Sequence, residues 1–174
     1  MIYNPPLIIL IFLIVSTAVI AAVWFLILPL WWYYQDNRNK WKMPKIKDRV
    51  PTKWGWVVRH PENLILGENT DIGFGTYIQA EYGIGIGKNV QIGAHCAIYS
   101  RNTIDNTKSK IIIEDNVRIG AGTIILPNPN GTNLYICHDS VIGALSLVKQ
   151  SIPSNSTYAG VPAKQIKEGD THVK

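Results

Sequence analysis

The residues of this 174-residue chain best suited to moving a proton are its four histidines: His60, His95, His138 and His172. Imidazole titrates near ~6.5, so it can take a proton from a hydroxyl at neutral pH. His95, in "IGAHCAI", is the candidate general base. It fills a turn position that Asn69, Asn89 and Asn116 fill elsewhere in the chain. His138, beside Asp139, reads as a turn residue, and His60 and His172 lie outside the patterned part. Asp105 could orient a base or meet a substrate, although its setting is that of a loop-turn aspartate. Cys96 and Cys137 supply neither a disulfide framework nor a CxxC metal pair. Cys96 belongs to a small inward register and reads as core, and Cys137 has no evident partner. The run "GIGIGKNVQIG" has dinucleotide-loop spacing, but without a strand–loop–helix context it is repeat glycine.

What must position these groups is a six-residue repeat. Aliphatic residues recur at Leu66, Ile72, Ile78 and Ile84, slip by two to Ile86, then continue at Ile92, Ile98 and Ile104. The series resumes at Ile113, Ile119 and Ile125, and again at Ile136, Ile142 and Val148. Asn69, Asn89, His95, Asn116 and Asp139 sit three residues after an aliphatic, where a tight turn would need a left-handed backbone. Small or β-branched residues follow at Thr70, Thr76, Val90, Cys96, Val117, Thr123, Ser140 and Ser146. A period of six suits neither a 3.6-residue helix nor a hairpin sandwich. It fits short strands, one inward aliphatic each, stacked as four to five coils of a parallel β-helix. Two stretches break the repeat, through "DNTKSK" and through "LPNPNGTNLY" (the insertion at 127–135), and both read as loops.

Residues 7–30 carry no charge, and as a helix the run reaches ~36 Å, enough for a ~30 Å hydrocarbon core. Trp31, Trp32, Tyr33 and Tyr34 follow at interfacial depth. A cleaved signal is disfavoured, because no basic leader or A-x-A site is present. Between Gln35 and Trp54 lie seven bases against two acids, and the other ten bases are matched by ten acids. The whole net charge of +5 is therefore a juxtamembrane collar. The positive-inside rule puts the C-terminal domain in the cytoplasm, on a single-pass inner (plasma) membrane protein. A nucleic-acid partner loses its support, and no binding motif for one is present. A content of 47% apolar and 17% charged residues excludes a disordered chain.

The segments "IGKNVQIGAHCAI", "IIIEDNVRIGAGTIILP", "VIGALSLVKQSIP" and "YAGVPAK" resemble the left-handed β-helix hexapeptide-repeat acyltransferases, above all the galactoside, maltose and capsule-sugar O-acetyltransferases. The likeness runs from about Leu64 to Glu168. It implies an all-β fold, a left-handed parallel β-helix after one transmembrane helix; the hand rests on the resemblance, since general crossover rules favour the other. It also implies homotrimers with sites between neighbouring prisms, acetyl-CoA as co-substrate, no metal, and a sugar hydroxyl or amine attacking the thioester. Ala121 and Ala144 match positions where a small side chain admits the pantetheine arm. Lys149 and Gln150 match a Thr-Lys pair in altered order, and Lys164 and Lys167 match bases that meet CoA phosphates. The family's histidine would fall at Asn102 or Thr103, where this chain has none, so His95 is the expected base and Asn102 and Asp105 the expected substrate contacts. The second insertion also departs from the family.

The expected organisation is an anchor at 1–34, a basic linker at 35–60, a β-helix acyltransferase domain at 61–163 and a tail at 164–174. The expected activity is acetyl transfer to a sugar, lipid-linked or destined for a surface glycan. Two other readings compete: a non-catalytic membrane-tethered scaffold, and a γ-type carbonic anhydrase, whose zinc needs histidines closer in sequence than these.

Overall fold

The computed structural model describes residues 23–39 and 41–167. They divide into two units after Trp41. The first holds a short π-helical stretch, Val23–Ile27, and one α-helix, α1 (Leu28–Asn39). Pro29 is the second residue of α1, directly after the π-helical stretch, and has no N–H to donate back to that turn. Trp31, Trp32 and Tyr33 are exposed on it. Residues 7–22 of the apolar run lie outside the described residues. Among the described residues, no helix is long and apolar enough to cross a membrane.

The second unit is a parallel β-solenoid whose strands stack into three faces. The first face holds Val57–Arg59 (β1), Tyr77–Gln79 (β4), Ala97–Tyr99 (β7), Ile124–Ile125 (β10) and Leu147–Val148 (β13). The second holds Leu64–Leu66 (β2), Ile84–Ile86 (β5), Ile111–Ile113 (β8) and Leu134–Ile136 (β11). The third holds Asp71–Ile72 (β3), Gln91–Ile92 (β6), Arg118–Ile119 (β9), Val141–Ile142 (β12), Thr157–Ala159 (β14) and Lys164–Lys167 (β15). Each coil runs from the second face to the third and on to the first.

The repeat follows from what points inward. Register pairing stacks Ile78, Ile98, Ile125 and Val148 in one buried column, and Ile72, Ile92, Ile119 and Ile142 in another. Second-face strands present two inward residues around one outward residue, as in Ile84–Gly85–Ile86. The slip of two between Ile84 and Ile86 is therefore regular strand alternation, and the same pair recurs at Leu64/Leu66, Ile111/Ile113 and Leu134/Ile136. Ile98→Ala, in the centre of a fully buried column, is expected to lower unfolding stability by about 2–5 kcal/mol in urea denaturation.

The turn residues behave as their types require. Asn69, Asn89, Asn116 and Asp139 have φ of +57°, +55°, +61° and +58° at the corner between the second and third faces. The small residues that follow close each corner from inside. Thr70 Oγ1 donates to the Gly87 carbonyl at 2.8 Å at this corner, and at the corner between the third and first faces Thr76 Oγ1 donates to the Gly93 carbonyl at 3.0 Å and Thr123 Oγ1 to the Gly143 carbonyl at 3.1 Å. Cys96 fills the same register, its Sγ 3.3 Å from the Gly120 carbonyl, and burial raises its thiol pKa. It is a core residue.

Three sequence expectations change. Ile104 does not point inward but is 94% exposed, because the first face ends at Ser100 and the chain leaves on a loop pinned by an Arg101–Lys108 bridge. The second insertion closes earlier than expected, since Leu134 and Tyr135 already belong to β11 and Leu134 is buried. The solenoid also extends past both expected ends. β1 lies inside the stretch read as linker, with Asp48 bridging to Val58, and β15 turns the start of the expected tail back antiparallel on β14.

Candidate functional site: a glycine-backed alanine corner

The corner between the third and first faces is built from Gly-X-(αL) turns. They are Gly73-Phe74-Gly75, Gly93-Ala94-His95, Gly120-Ala121-Gly122 and Gly143-Ala144-Leu145. Coils are joined there by backbone bonds: His95 N donates to the Phe74 carbonyl, Gly122 N to that of Ala94 and Leu145 N to that of Ala121, each at 2.9 Å. The first glycines are compressed against the next coil. A Cβ on Gly93 would stand 2.5 Å from the Ala121 nitrogen, and one on Gly120 would collide with the Ala144 nitrogen. Ala121 and Ala144 are exposed on the outer side of this column. The result is a strip of small side chains at Ala94, Ala121 and Ala144, flanked by exposed Phe74, His95 and Leu145, along which an extended chain could lie against the backbone. It continues past Ala144: Leu147 N donates to the Gly160 carbonyl at 2.9 Å, and Ala159 pairs with Lys164. Lys164 is exposed at that end.

A curated serine acetyltransferase of Staphylococcus aureus is 30% identical over 142 residues, 79% of this chain and 61% of the relative. The chain spans only 50–61% of the length of the curated serine acetyltransferases it matches. Among solved structures, a maltose O-acetyltransferase from Clostridium difficile superposes with a TM-score of 0.55 at 28% identity, covering 67% of this chain and 64% of that one. A hexapeptide-repeat acetyltransferase from Vibrio cholerae, solved with acetyl coenzyme A, gives 0.59 at 24% identity, covering 66% and 65%. No family model matches the chain. Its solenoid shares its fold with these hexapeptide-repeat acetyltransferases.

Within this hexapeptide-repeat solenoid the expected site residues fall into separate groups. His95, Ala121 and Ala144 share the alanine corner. His95 is exposed with φ +55°, its ring lying over Gly75 and edge-on to Phe74 at 5.8 Å between centroids. Among the described residues, no group hydrogen-bonds its ring nitrogens. Asn102 and Asp105 stand across the first face, in the loop that follows β7. Asn102 Oδ1 accepts from Ile104 N at 3.1 Å, and Asp105 Oδ1 accepts from Thr107 N at 3.0 Å and Thr107 Oγ1 at 2.6 Å. These bonds, first that from the Thr107 hydroxyl, lower the Asp105 pKa. Both side chains are occupied in shaping the loop. Half-buried Lys149 and exposed Gln150 follow β13 at that same far edge, away from the alanine corner. Lys167 ends β15, and its side chain lies outside the described residues.

The three described histidines stand at three different corners of the solenoid. Among the described residues, no three His, Cys, Asp or Glu side chains converge as a metal site. Burial raises the Cys137 thiol pKa. His138 is the one that sequence reading passed over. Its Nδ1 lies 2.8 Å from Asp139 Oδ2, and its backbone N donates to Glu114 Oε2 at 2.9 Å. The bond from His138 is the first cause of a lowered Asp139 pKa, against an ordinary value of 3.8. A depressed native value stabilises the fold above the unfolded value and loses that stabilisation as pH falls through the native one. Asp139→Asn is therefore expected to flatten the acid limb of the stability–pH curve below about pH 4. The effect is small, ~0.2–1 kcal/mol, because both side chains are about half exposed. Urea denaturation across that range checks it.

Proposed function

We propose that this chain is an acyl-CoA-dependent acetyltransferase that passes an acetyl group to a hydroxyl or amine of a sugar, working as a homotrimer beside a membrane. The observation that carries the reading is the alanine corner. Compressed glycines hold backbone and small side chains at the surface over several coils, and a lysine waits at the end. An extended pantetheine arm needs such a strip, since any larger side chain would hold it off, and CoA phosphates favour a fixed cation. The Vibrio cholerae solenoid that superposes on this one was solved with acetyl coenzyme A. An acyltransferase from Bacillus cereus of the same fold was solved with a dTDP-amino sugar and CoA. These likenesses support the cofactor and acceptor class.

The membrane part rests on the sequence of residues 7–30 and on the basic collar that follows. A cytoplasmic solenoid would have acetyl-CoA at hand and would meet acceptors held on lipid at the leaflet. Calorimetry of the full chain in detergent with acetyl-CoA tests the reading first. Saturable binding near one site per chain is the expected result, and absence of binding would leave a non-catalytic scaffold as the better description.

A further inference from the structure

We propose that the segment capping the first coil, residues 42–56, is a folded lipid-binding surface that seats the solenoid on an anionic membrane leaflet. This deepens the membrane part of the proposed function and rests on that reading. The segment belongs wholly to the second unit. The end of a solenoid needs a cap, and a cap that faces water is polar on its outer side. This one is not. Met43, Val50 and Trp54 are exposed on it, at 52%, 48% and 47%. Five bases, Lys42, Lys45, Lys47, Arg49 and Lys53, stand exposed in the same segment against one acid, Asp48. That acid is occupied. Its Oδ1 accepts from His60 N at 2.9 Å, and its Oδ2 lies 3.5 Å from Arg49 Nε.

The apolar exposure is built in and does not come from a loose loop. β1 is the outermost strand of the first face, Asp48 bridges to Val58 in parallel register, and Arg49 N donates to the Val58 carbonyl at 2.8 Å. The turn that follows is closed twice at 2.9 Å, by Gly55 N to the Thr52 carbonyl and by Thr52 N to the Trp56 carbonyl. The Gly55 carbonyl accepts from Gly75 N in the next coil at 3.1 Å. Trp56 is packed into the core at 3% exposure, while Trp54 stays out. Lys53 Nζ lies 4.2 Å from the Trp54 ring centroid, a cation beside an amphipathic ring. Such a patch matches a bilayer interface with acidic headgroups: the indole and the aliphatic stems enter at headgroup level, and the cations meet phosphate. An acidic protein would match the bases alone. In sequence the segment is also reached from the uncharged run 7–30 and the exposed Trp31, Trp32 and Tyr33, side chains suited to the same leaflet. Seated this way, the coils rise from the membrane in sequence order.

The test uses the full chain carrying Val50→Cys and Cys137→Ser, labelled at position 50 with an environment-sensitive nitrobenzoxadiazole. Cys96 is buried, which leaves the introduced thiol to react. The protein is reconstituted into vesicles of phosphatidylcholine alone or of phosphatidylcholine mixed with phosphatidylglycerol. Emission should shift to the blue with phosphatidylglycerol, stay unshifted with phosphatidylcholine alone, and return in ~1 M NaCl, where the Debye length is ~3 Å. A label at Ile166→Cys, exposed on β15 at the other end of the third face, should shift in neither. Lys47→Gln with Lys53→Gln should lower the ratio of buried to exposed label about 25-fold, from about fivefold per base, and Trp54→Ala should lower it at least ~5-fold. All three side chains are exposed, and melting curves should match the parent. No shift with phosphatidylglycerol, or an equal shift with phosphatidylcholine alone, overturns the proposal. So does an unchanged ratio in Trp54→Ala, which would reduce the surface to its charges. The same shift with polyglutamate and no vesicles assigns the surface to an acidic protein and also overturns it. Flotation with phosphatidylcholine vesicles tests residues 7–30 separately. A chain that does not float with them removes the anchor reading, and phosphatidylglycerol vesicles added to that chain still decide the cap by the same shift.

Discussion

Ala144→Trp removes acetyl-CoA binding, with a rise in Kd of at least ~100-fold by calorimetry, or about 2.7 kcal/mol. The melting temperature stays within a few degrees. The size follows from position. Ala144 is exposed on the alanine corner, outside the stacked backbone, with Gly120 pressed beneath it. An indole there stands where the extended arm would run, and the neighbouring coils leave no lower path, because the layer beneath is backbone. The fold tolerates the change because the side chain points out and the residue is not among those with positive φ. Val141→Trp, exposed on the outer side of β12 away from the corner, is the control and should bind acetyl-CoA as the parent does. If Ala144→Trp also binds normally, the corner is not where the cofactor lies.

Gly120→Val is expected to cost about 3 kcal/mol or more of unfolding stability, measured by denaturant titration. A Cβ at Gly120 meets the Ala144 nitrogen and Cα and the Gly143 carbonyl carbon, all backbone, and none can swing aside. Relief requires separating two coils, which breaks the Leu145–Ala121 backbone bond and its neighbours. Gly85→Ala should behave in the opposite way. A Cβ there meets nothing within 4 Å, and replacing a strand glycine gains up to about 0.5–1 kcal/mol. Equal losses at both positions would show that coil spacing at the corner is not what constrains Gly120.

The contrast between these glycines shows how far the sequence reads. Both follow an isoleucine in the same hexad pattern, and nothing in the local sequence separates them. Coil stacking does: Gly120 lies at a corner where backbones touch, whereas Gly85 faces outward in mid-strand. Ile104 teaches the same point. It keeps the six-residue step from Ile98 yet is exposed, because the loop leaves the coil between them. The site divides likewise. Ala121 and Ala144 were named by resemblance, and the structure stacks them at one corner. Asn102 and Asp105 were placed by resemblance, and their side chains turn out to bond within their own loop. His138 with Asp139 was visible as a pair of letters, but that the ring Nδ1 meets the neighbouring carboxylate is side-chain geometry, and the open groove beside it, along the second face, is assembled from distant strands.

The sequence by itself determined the solenoid, its inward columns, its left-handed turn residues and the concentration of net charge in a collar. These are one-dimensional properties: a period of six is enough to choose short strands over helices, and φ preference at a turn belongs to one residue. Only the tertiary structure decided which turns share a corner, which glycines are pressed by a neighbouring coil and which histidine has an orienting carboxylate. The first two depend on contacts between successive coils, such as Gly67 with Ile86 or Gly120 with Ile142, and the third on side-chain geometry between neighbours. Loops of unequal length change the step from coil to coil, so the repeat alone does not fix that register.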